Sequence, residues 1–284
     1  MPPQKQRQQR DIIMRLQGQG SAELLHGQTT ADFRKPRAGE SRYAAFCDPK
    51  GRVLADVRAV VISQDEILLR GRAQVIEKLA NHLKPYLMFA RATITPTDWQ
   101  IGARDSCDDA TVATLSFQKG ALSSVVIPGN DGFEEHWTSP KAAAQSEVSL
   151  DLEEYELHSA RARVEVETIG TYLPQDLNFD LNGTVSFTKG CYTGQEIIAR
   201  LHYRGTPKRR LHRAQSVADA VAGQKLRNDQ EQAVGSIVNV GHHAEHNHIL
   251  IELKPDAAET AVLLENTGNL ITDISLCHQQ SDTS

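Results

Sequence analysis

The sequence predicts an α+β protein, with helices laid on antiparallel sheets and a small all-β barrel or sandwich at the C-terminus. Three observations predict it. Strand-like runs joined by short turns fill Asp11 to Arg70. One later segment has clear helical spacing. After Arg213, short apolar runs alternate with turns and leave no room for a long helix.

Asp11 to Leu16 is strand-like, and Gly18 and Gly20 punctuate it. Ser21 is a good N-cap for a helix through SAELLHGQTTADF. Tyr43 to Cys47 and Val53 to Ile62 read as strands around the turn Asp48-Pro49-Lys50-Gly51, where Pro49 presets φ and Gly51 tolerates a positive φ. Ile67 to Arg70 completes a meander. Val75, Ile76, Leu79, Leu83 and Leu87 fall at helical spacing and predict a helix over Ala73 to Leu87, which Pro85 should end or kink. Ala90 to Thr95 reads as a strand. Two more are expected around Ala110 to Leu115 and Leu122 to Ile127, with a turn at Asn130-Asp131-Gly132. Leu150 to Arg163 predicts a second long helix with acids in its first turn, as the helix dipole prefers. The C-terminal strands are expected at Gln224 to Leu226, Gly235 to Val240, His248 to Leu253, Ala261 to Leu264 and Leu270 to Ile274, joined to the rest through Thr206-Pro207. This divides the chain into 1–205 and a β domain over 206–284.

The 284 residues, 39% hydrophobic, can bury a core without covalent staples. A formal charge of −5 argues against bulk electrostatic capture of nucleic acid. The four cysteines, Cys47, Cys107, Cys191 and Cys277, are scattered and form no CxxC, which argues against a disulfide framework or zinc ribbon and fits a reducing compartment. The polar stretch Met1 to Arg10 lacks the apolar core of a secretory signal, and no apolar run approaches a bilayer span. A soluble, cytoplasmic, monomeric protein is expected.

The densest cluster of chemistry runs from Lys189 to Arg200. Gly190 and Gly194 let the backbone turn tightly around Cys191, and Gln195 and Glu196 open a helix. A cysteine just before a helix N-terminus, beside Lys189, is expected to be more acidic and nucleophilic than a free thiol; the plain alternative is a small buried hydrophobe. From Lys189 to Arg213 there are seven basic residues and one acid, Glu196. This local excess suggests an anionic ligand, such as a polyglutamylated tail or a phosphate, or else a solvated basic linker. Tyr203 is the only aromatic residue between Leu201 and Arg213, so no base-stacking platform is indicated. His242, His243, Glu245, His246 and His248 have metal-ligand chemistry but fall on an expected hairpin tip, so no metal site is assigned. Cys47 and Cys107 are expected to be incidental, and Asp48 to serve its own turn.

Lys189 to Arg200 resembles, without a gap, the KGCYTGQE signature of YgfZ-type proteins, a family related to the glycine-cleavage T-protein. His26 to Asp32 is similar to that family's GQxTAD helix, and Phe46 to Arg52 to its CDxKG strand–turn–strand; the likeness extends over nearly the whole chain. The resemblance implies a three-part, clover-like fold, with two interleaved subdomains in 1–205, whose channel binds tetrahydrofolate. It also implies a role in assembling or repairing iron–sulfur clusters of client enzymes, including ones that modify tRNA, with Cys191 as the functional residue. Partners would be iron–sulfur clients or assembly proteins, without direct nucleic-acid contact. Lys189, Gly190, Tyr192, Gly194, Gln195, Glu196 and Arg200 would shape the site, with Gln28 and Asp32 on one face of the first helix and Tyr155 stacking on a ring of the folate. The scattered cysteines do not support a resident cluster, and whether Cys191 acts by redox or by ligation stays open. T-proteins carry acids where this chain keeps only Asp56 after the hairpin, and an acid where it has Arg161-Ala162-Arg163. An arginine cannot accept hydrogen bonds from a pterin edge. An accessory factor is therefore expected rather than the alternative, a folate-dependent one-carbon transferase.

Overall fold

The computed structural model describes residues 10–105, 112–118, 120–129, 133–140, 142, 151–241 and 246–277. The turn expected at Asn130 to Gly132, Cys107, and His242, His243 and Glu245 lie outside them.

The described residues are α+β. In order they form β1 (Asp11–Gly18), α1 (Ser21–Gln28), β2 (Ser41–Cys47), β3 (Val53–Ser63), β4 (Glu66–Arg72), α2 (Ala73–Phe89), β5 (Ala92–Pro96), β6 (Gln100–Asp105), β7 (Thr114–Gln118), β8 (Ala121–Pro128) and β9 (Phe133–Thr138). Then follow α3 (Leu152–His158), α4 (Gln195–Arg204), β10 (Arg210–Ser216), β11 (Lys225–Arg227), β12 (Ala233–Gly241), β13 (Asn247–Leu253), β14 (Val262–Leu264) and β15 (Leu270–Leu276). One sheet has the order β2-β3-β4-β1-β5, a second β6-β9-β8-β7, and β10-β13-β12-β11-β14-β15 close a barrel. The chain divides into two compact units, one of Met1–Leu24, Lys35–Ser41 and Val57–Ser149, the other of Leu25–Arg34, Arg42–Asp56 and Leu150–Ser284.

In the first unit β1 pairs antiparallel with β4 on one side, Ile13 opposite Arg70, and with β5 on the other. The core joins Ile13, Val60 and Leu68 to Trp99, just before β6, and to Val125, Ile127 and Trp137 of the second sheet. Between the sheets lies Glu135, fully buried and held by Arg58 at 3.0 Å, Arg70 at 2.9 Å and the Trp137 indole N–H at 2.5 Å. Asp11 meets Arg70 and Arg72 at 3.1 and 2.9 Å. A carboxylate can sit in such a core only because guanidiniums and an N–H surround it. Helix α2 buries Val75, Ile76, Leu79, Leu83 and Leu87, the five positions that the spacing indicates. It runs through Pro85 to Phe89, because Pro85 stands on the exposed face, where solvent can meet the carbonyl it leaves without a donor. The chain then turns at Arg91, φ 48°, so β5 starts at Ala92 rather than at Ala90.

In the second unit Leu226, Ile237, Ile249, Ile251, Leu253, Val262, Leu264 and Ile271 fill the barrel. Its first strand, β10, begins inside the basic run: Ala214 joins the barrel core, Leu211, His212 and Ser216 are also buried, and Arg213 is exposed. Helix α3 is shorter than the Leu150 to Arg163 span expected. It is capped by the Asp151 carboxylate on the Glu153 and Glu154 N–H groups, and it ends at Ser159 before Ala160 takes a positive φ of 53°. Beyond it, backbone groups at 163 and 164 bond to side chains instead of continuing the helix.

Candidate functional site

The Cys191 loop is built from its flanks. Lys189 is buried, and its ammonium lies 2.5 Å from the carbonyl oxygens of both His26 and Thr29. These are carbonyls at the end of α1, which lack helical donors and carry the negative end of the dipole. The same ammonium stands 4.5 Å over the Tyr192 ring. Burial pulls Lys189 down to about 8, with Asp32 opposing and Arg34 adding to the shift. Two residues on, the Thr193 N–H donates to Gly27 O at 3.3 Å and its hydroxyl to Gln28 Oε1 at 3.4 Å. The loop is thus stitched to the last turn of α1 on both sides of Cys191. Gly190 passes close to His26: a Cβ there would come within 3.1 Å of His26 Nε2. Burial lowers the His26 imidazole, Lys189 pushes it the same way, and Asp32 Oδ1 opposes from 3.3 Å.

The other anchor is the Asp48–Gly51 turn. The Asp48 carboxylate accepts from the Lys50 and Arg52 N–H groups, and Gly51 has φ 75°. Gly194, the N-cap of α4, has φ 84°, and a Cβ there would lie 2.5 Å from Asp48 O. A glycine is required on both counts. Tyr192 is buried, which pushes its phenol up. Cys191, between these fixed points, is exposed, whereas burial pushes the thiols of Cys47 and Cys277 up, the latter to about 11.

Lys189, Gly190, Tyr192, Gly194, Gln195 and Gln28 therefore belong to one assembly around Cys191. Gln195 opens α4; Glu196 and Arg200 lie exposed one turn apart. Asp32 differs from expectation. Helix α1 ends at Gln28, so Asp32 lies beyond it and not on a shared helical face, and its carboxyl binds Arg34, which holds it well below the ordinary range. Tyr155 is half-buried on α3.

The basic run is not one anion site. Arg209 pairs with Glu252 at 3.1 Å, Arg210 with Asp180 at 2.7 and 3.0 Å, and Arg213 donates to His158 O at 2.6 Å. Arg200, Arg204 and Lys208 remain exposed and without an ion pair among the described residues. Nor is Tyr203 isolated: Phe187, from outside the run, stacks on His202 at 3.6 Å, and Tyr203 stands edge-on to both. His246 and His248 stack with their Nε2 atoms 3.0 Å apart. Among the described residues no group of three or more His, Cys, Asp or Glu could hold a metal ion.

Sequence reasoning missed the group that fixes Asp56. Arg163, 2% exposed, donates from Nε to Asp56 Oδ2 at 2.5 Å and from NH1 to both Glu156 oxygens at 3.0 and 2.8 Å. Asp56 Oδ1 accepts the Val164 N–H at 2.7 Å. Asn239 accepts the Arg163 N–H and donates to its carbonyl. The alternation of apolar Ala162 and Val164 around Arg163 was the one local sign that the arginine lies in extended, buried chain.

No family model matches the chain. It is 26% identical over 273 residues to the tRNA-modifying protein YgfZ of Vibrio atlanticus, covering 88% of this chain and 84% of that one. It is 25% identical over 231 residues to the tRNA-modifying protein YgfZ of Blochmanniella pennsylvanica, covering 73% and 70%. An uncharacterized protein of Haemophilus influenzae is 28% identical over 225 residues, 75% of each chain. The crystal structure of the glycine cleavage system aminomethyltransferase T from Bartonella henselae superposes with a TM-score of 0.71 at 14% identity, covering 95% of this chain and 83% of that one. With the KGCYTGQE loop in place, the chain is similar in sequence to YgfZ-type proteins, and its fold is that of the T-protein.

Proposed function

We infer that the protein is an accessory factor for iron–sulfur enzymes, among them enzymes that modify tRNA, that it acts in the cytoplasm, and that it takes tetrahydrofolate as its small-molecule ligand. The observation that carries this reading is the Cys191 loop: a thiol open to solvent on a backbone anchored at both ends, while the buried cysteines are withdrawn from chemistry. An exposed thiol on a fixed loop suits a meeting with a cluster carried by a partner, which is cargo here and not a resident group. The relatives' name, tRNA-modifying protein, supports the link to tRNA.

The folate part of the reading rests on the fold. A pterin offers a donor edge that a carboxylate grips. Asp56 and Glu156 do not fit that task, because Arg163 and the Val164 N–H already engage them in a buried cluster. Asp32 is engaged by Arg34. Aminomethyl transfer does not fit this chain, since the Asp56 carboxylate such a step would call on is already engaged by Arg163 and the Val164 N–H.

Two measurements on the purified protein test the reading. Calorimetric titration should detect tetrahydrofolate binding, and incubation with tetrahydrofolate and an aminomethyl donor should yield no methylene-tetrahydrofolate. Catalytic formation of that product would replace the accessory role by the transferase. Absence of binding at high micromolar folate would remove folate and leave the thiol.

A further inference from the structure

Helix α4 presents a face that the Cys191 assembly does not use. Arg200, Tyr203 and Arg204 are exposed and fall on one side, at i, i+3 and i+4. Tyr203 leaves 66% of its surface open to solvent. Its ring is held edge-on, 4.8 Å from His202 and 6.2 Å from Phe187, and those two stack at 12° to one another. Neither arginine has an ion pair among the described residues, and Lys208 follows, also exposed and unpaired. On a chain of net charge −5, this concentration of cations runs against the overall balance.

The chemistry that satisfies both halves of this face is a strand of unpaired nucleotides. A base offers the flat π-face that covers an exposed, pre-set tyrosine, and phosphates offer paired oxygen acceptors that match the planar guanidinium fork. An acidic peptide would answer the arginines and leave the rings uncovered. We propose that this face of α4 binds unpaired RNA, with Tyr203 stacking a base and Arg200 and Arg204 holding the neighbouring phosphates. The choice of RNA over DNA rests on the tRNA link of the preceding reading; the surface itself does not.

The test is fluorescence anisotropy of the full chain with a labelled single-stranded RNA of about twelve nucleotides, with single-stranded DNA of the same sequence and polyglutamate as competitors. The RNA should bind with an affinity that falls steeply with salt. Arg200→Glu with Arg204→Glu should weaken it about tenfold or more and flatten the log–log salt slope by about 1.4, the value for two phosphate contacts. Tyr203→Ala should weaken it about fivefold or more without changing that slope, and Tyr203→Phe should restore it. No RNA binding at about 50 mM salt, or variants that bind as the parent does, would overturn the proposal. DNA binding as tightly as RNA would overturn the assignment to RNA, and displacement by polyglutamate at equal charge would assign the face to an acidic protein instead. Cys191→Ala should bind RNA like the parent, so failure of this face and failure of the thiol reading are told apart.

Discussion

Arg163 reaches Asp56 across 107 positions of sequence, with its Nε 2.5 Å from Oδ2 in a site closed to solvent. The same guanidinium also holds both oxygens of Glu156. Removing it would take a buried cation from both carboxylates. Arg163→Leu should lower unfolding free energy by about 3–5 kcal/mol, the usual cost of breaking a buried pair from one side, measured by urea denaturation. A loss below about 1 kcal/mol would show the cluster to be hydrated and the carboxylates available.

The two glycines of the loop should not be equivalent. Gly194→Ala meets a positive φ of 84° and the Asp48 carbonyl at 2.5 Å. It should cost about 2 kcal/mol or more, since backbone strain at such a residue alone costs about 1–3 kcal/mol. Gly190→Ala meets only the edge of the His26 ring, at 3.1 Å and without a positive φ, and should cost less. Thermal unfolding of the two variants side by side would check the order.

Native alkylation separates the thiols. Cys191 is exposed, and burial pushes Cys47 and Cys277 well above the ordinary thiol range. Iodoacetamide followed by peptide mass spectrometry should label Cys191 in the folded protein and reach Cys47 and Cys277 only after denaturation, because the thiolate is the reactive form. Labelling of Cys47 at a rate comparable to Cys191 would contradict the packing of the Asp48 turn against α4.

Glu252 gives a pH signature. It lies 2.8 Å from the Ser236 hydroxyl and 3.1 Å from Arg209, yet burial dominates and raises it from 4.5 to about 7. The folded state therefore holds this proton over a range where the unfolded chain has lost it. The stabilisation is complete below about pH 4.5 and disappears as pH rises through about 7. Asp176, raised by burial, acts in the same sense. Glu252→Gln should remove a pH-dependent part of the unfolding free energy on the order of 2 kcal/mol between those limits, read as the difference between the two proteins' pH profiles. Parallel profiles would contradict the burial of the carboxyl.

What could be read in the sequence was local. The buried stripe of α2 repeats at helical spacing, the Asp48–Gly51 turn is spelled by its own residues, and KGCYTGQE is contiguous. What could not be read was set by distant partners. The role of Lys189 depends on carbonyls more than 150 positions earlier, at the end of α1. Strand β10 was hidden because Arg210 and Arg213, which lie on it, made the run look like a linker. The end of α3 is imposed by Asn239 and Asp56, which bind the backbone of Arg163 and Val164 that a longer helix would need. Phe187 carried no signal of its own until the fold laid it on His202.

The account turns on the exposed thiol. The most direct measurement is complementation by Cys191→Ala in a cell lacking its homologue, scored by the activity of iron–sulfur enzymes that modify tRNA, at matched protein abundance. The account predicts a folded variant, with unfolding unchanged, and loss of rescue. Full rescue by Cys191→Ala would contradict it.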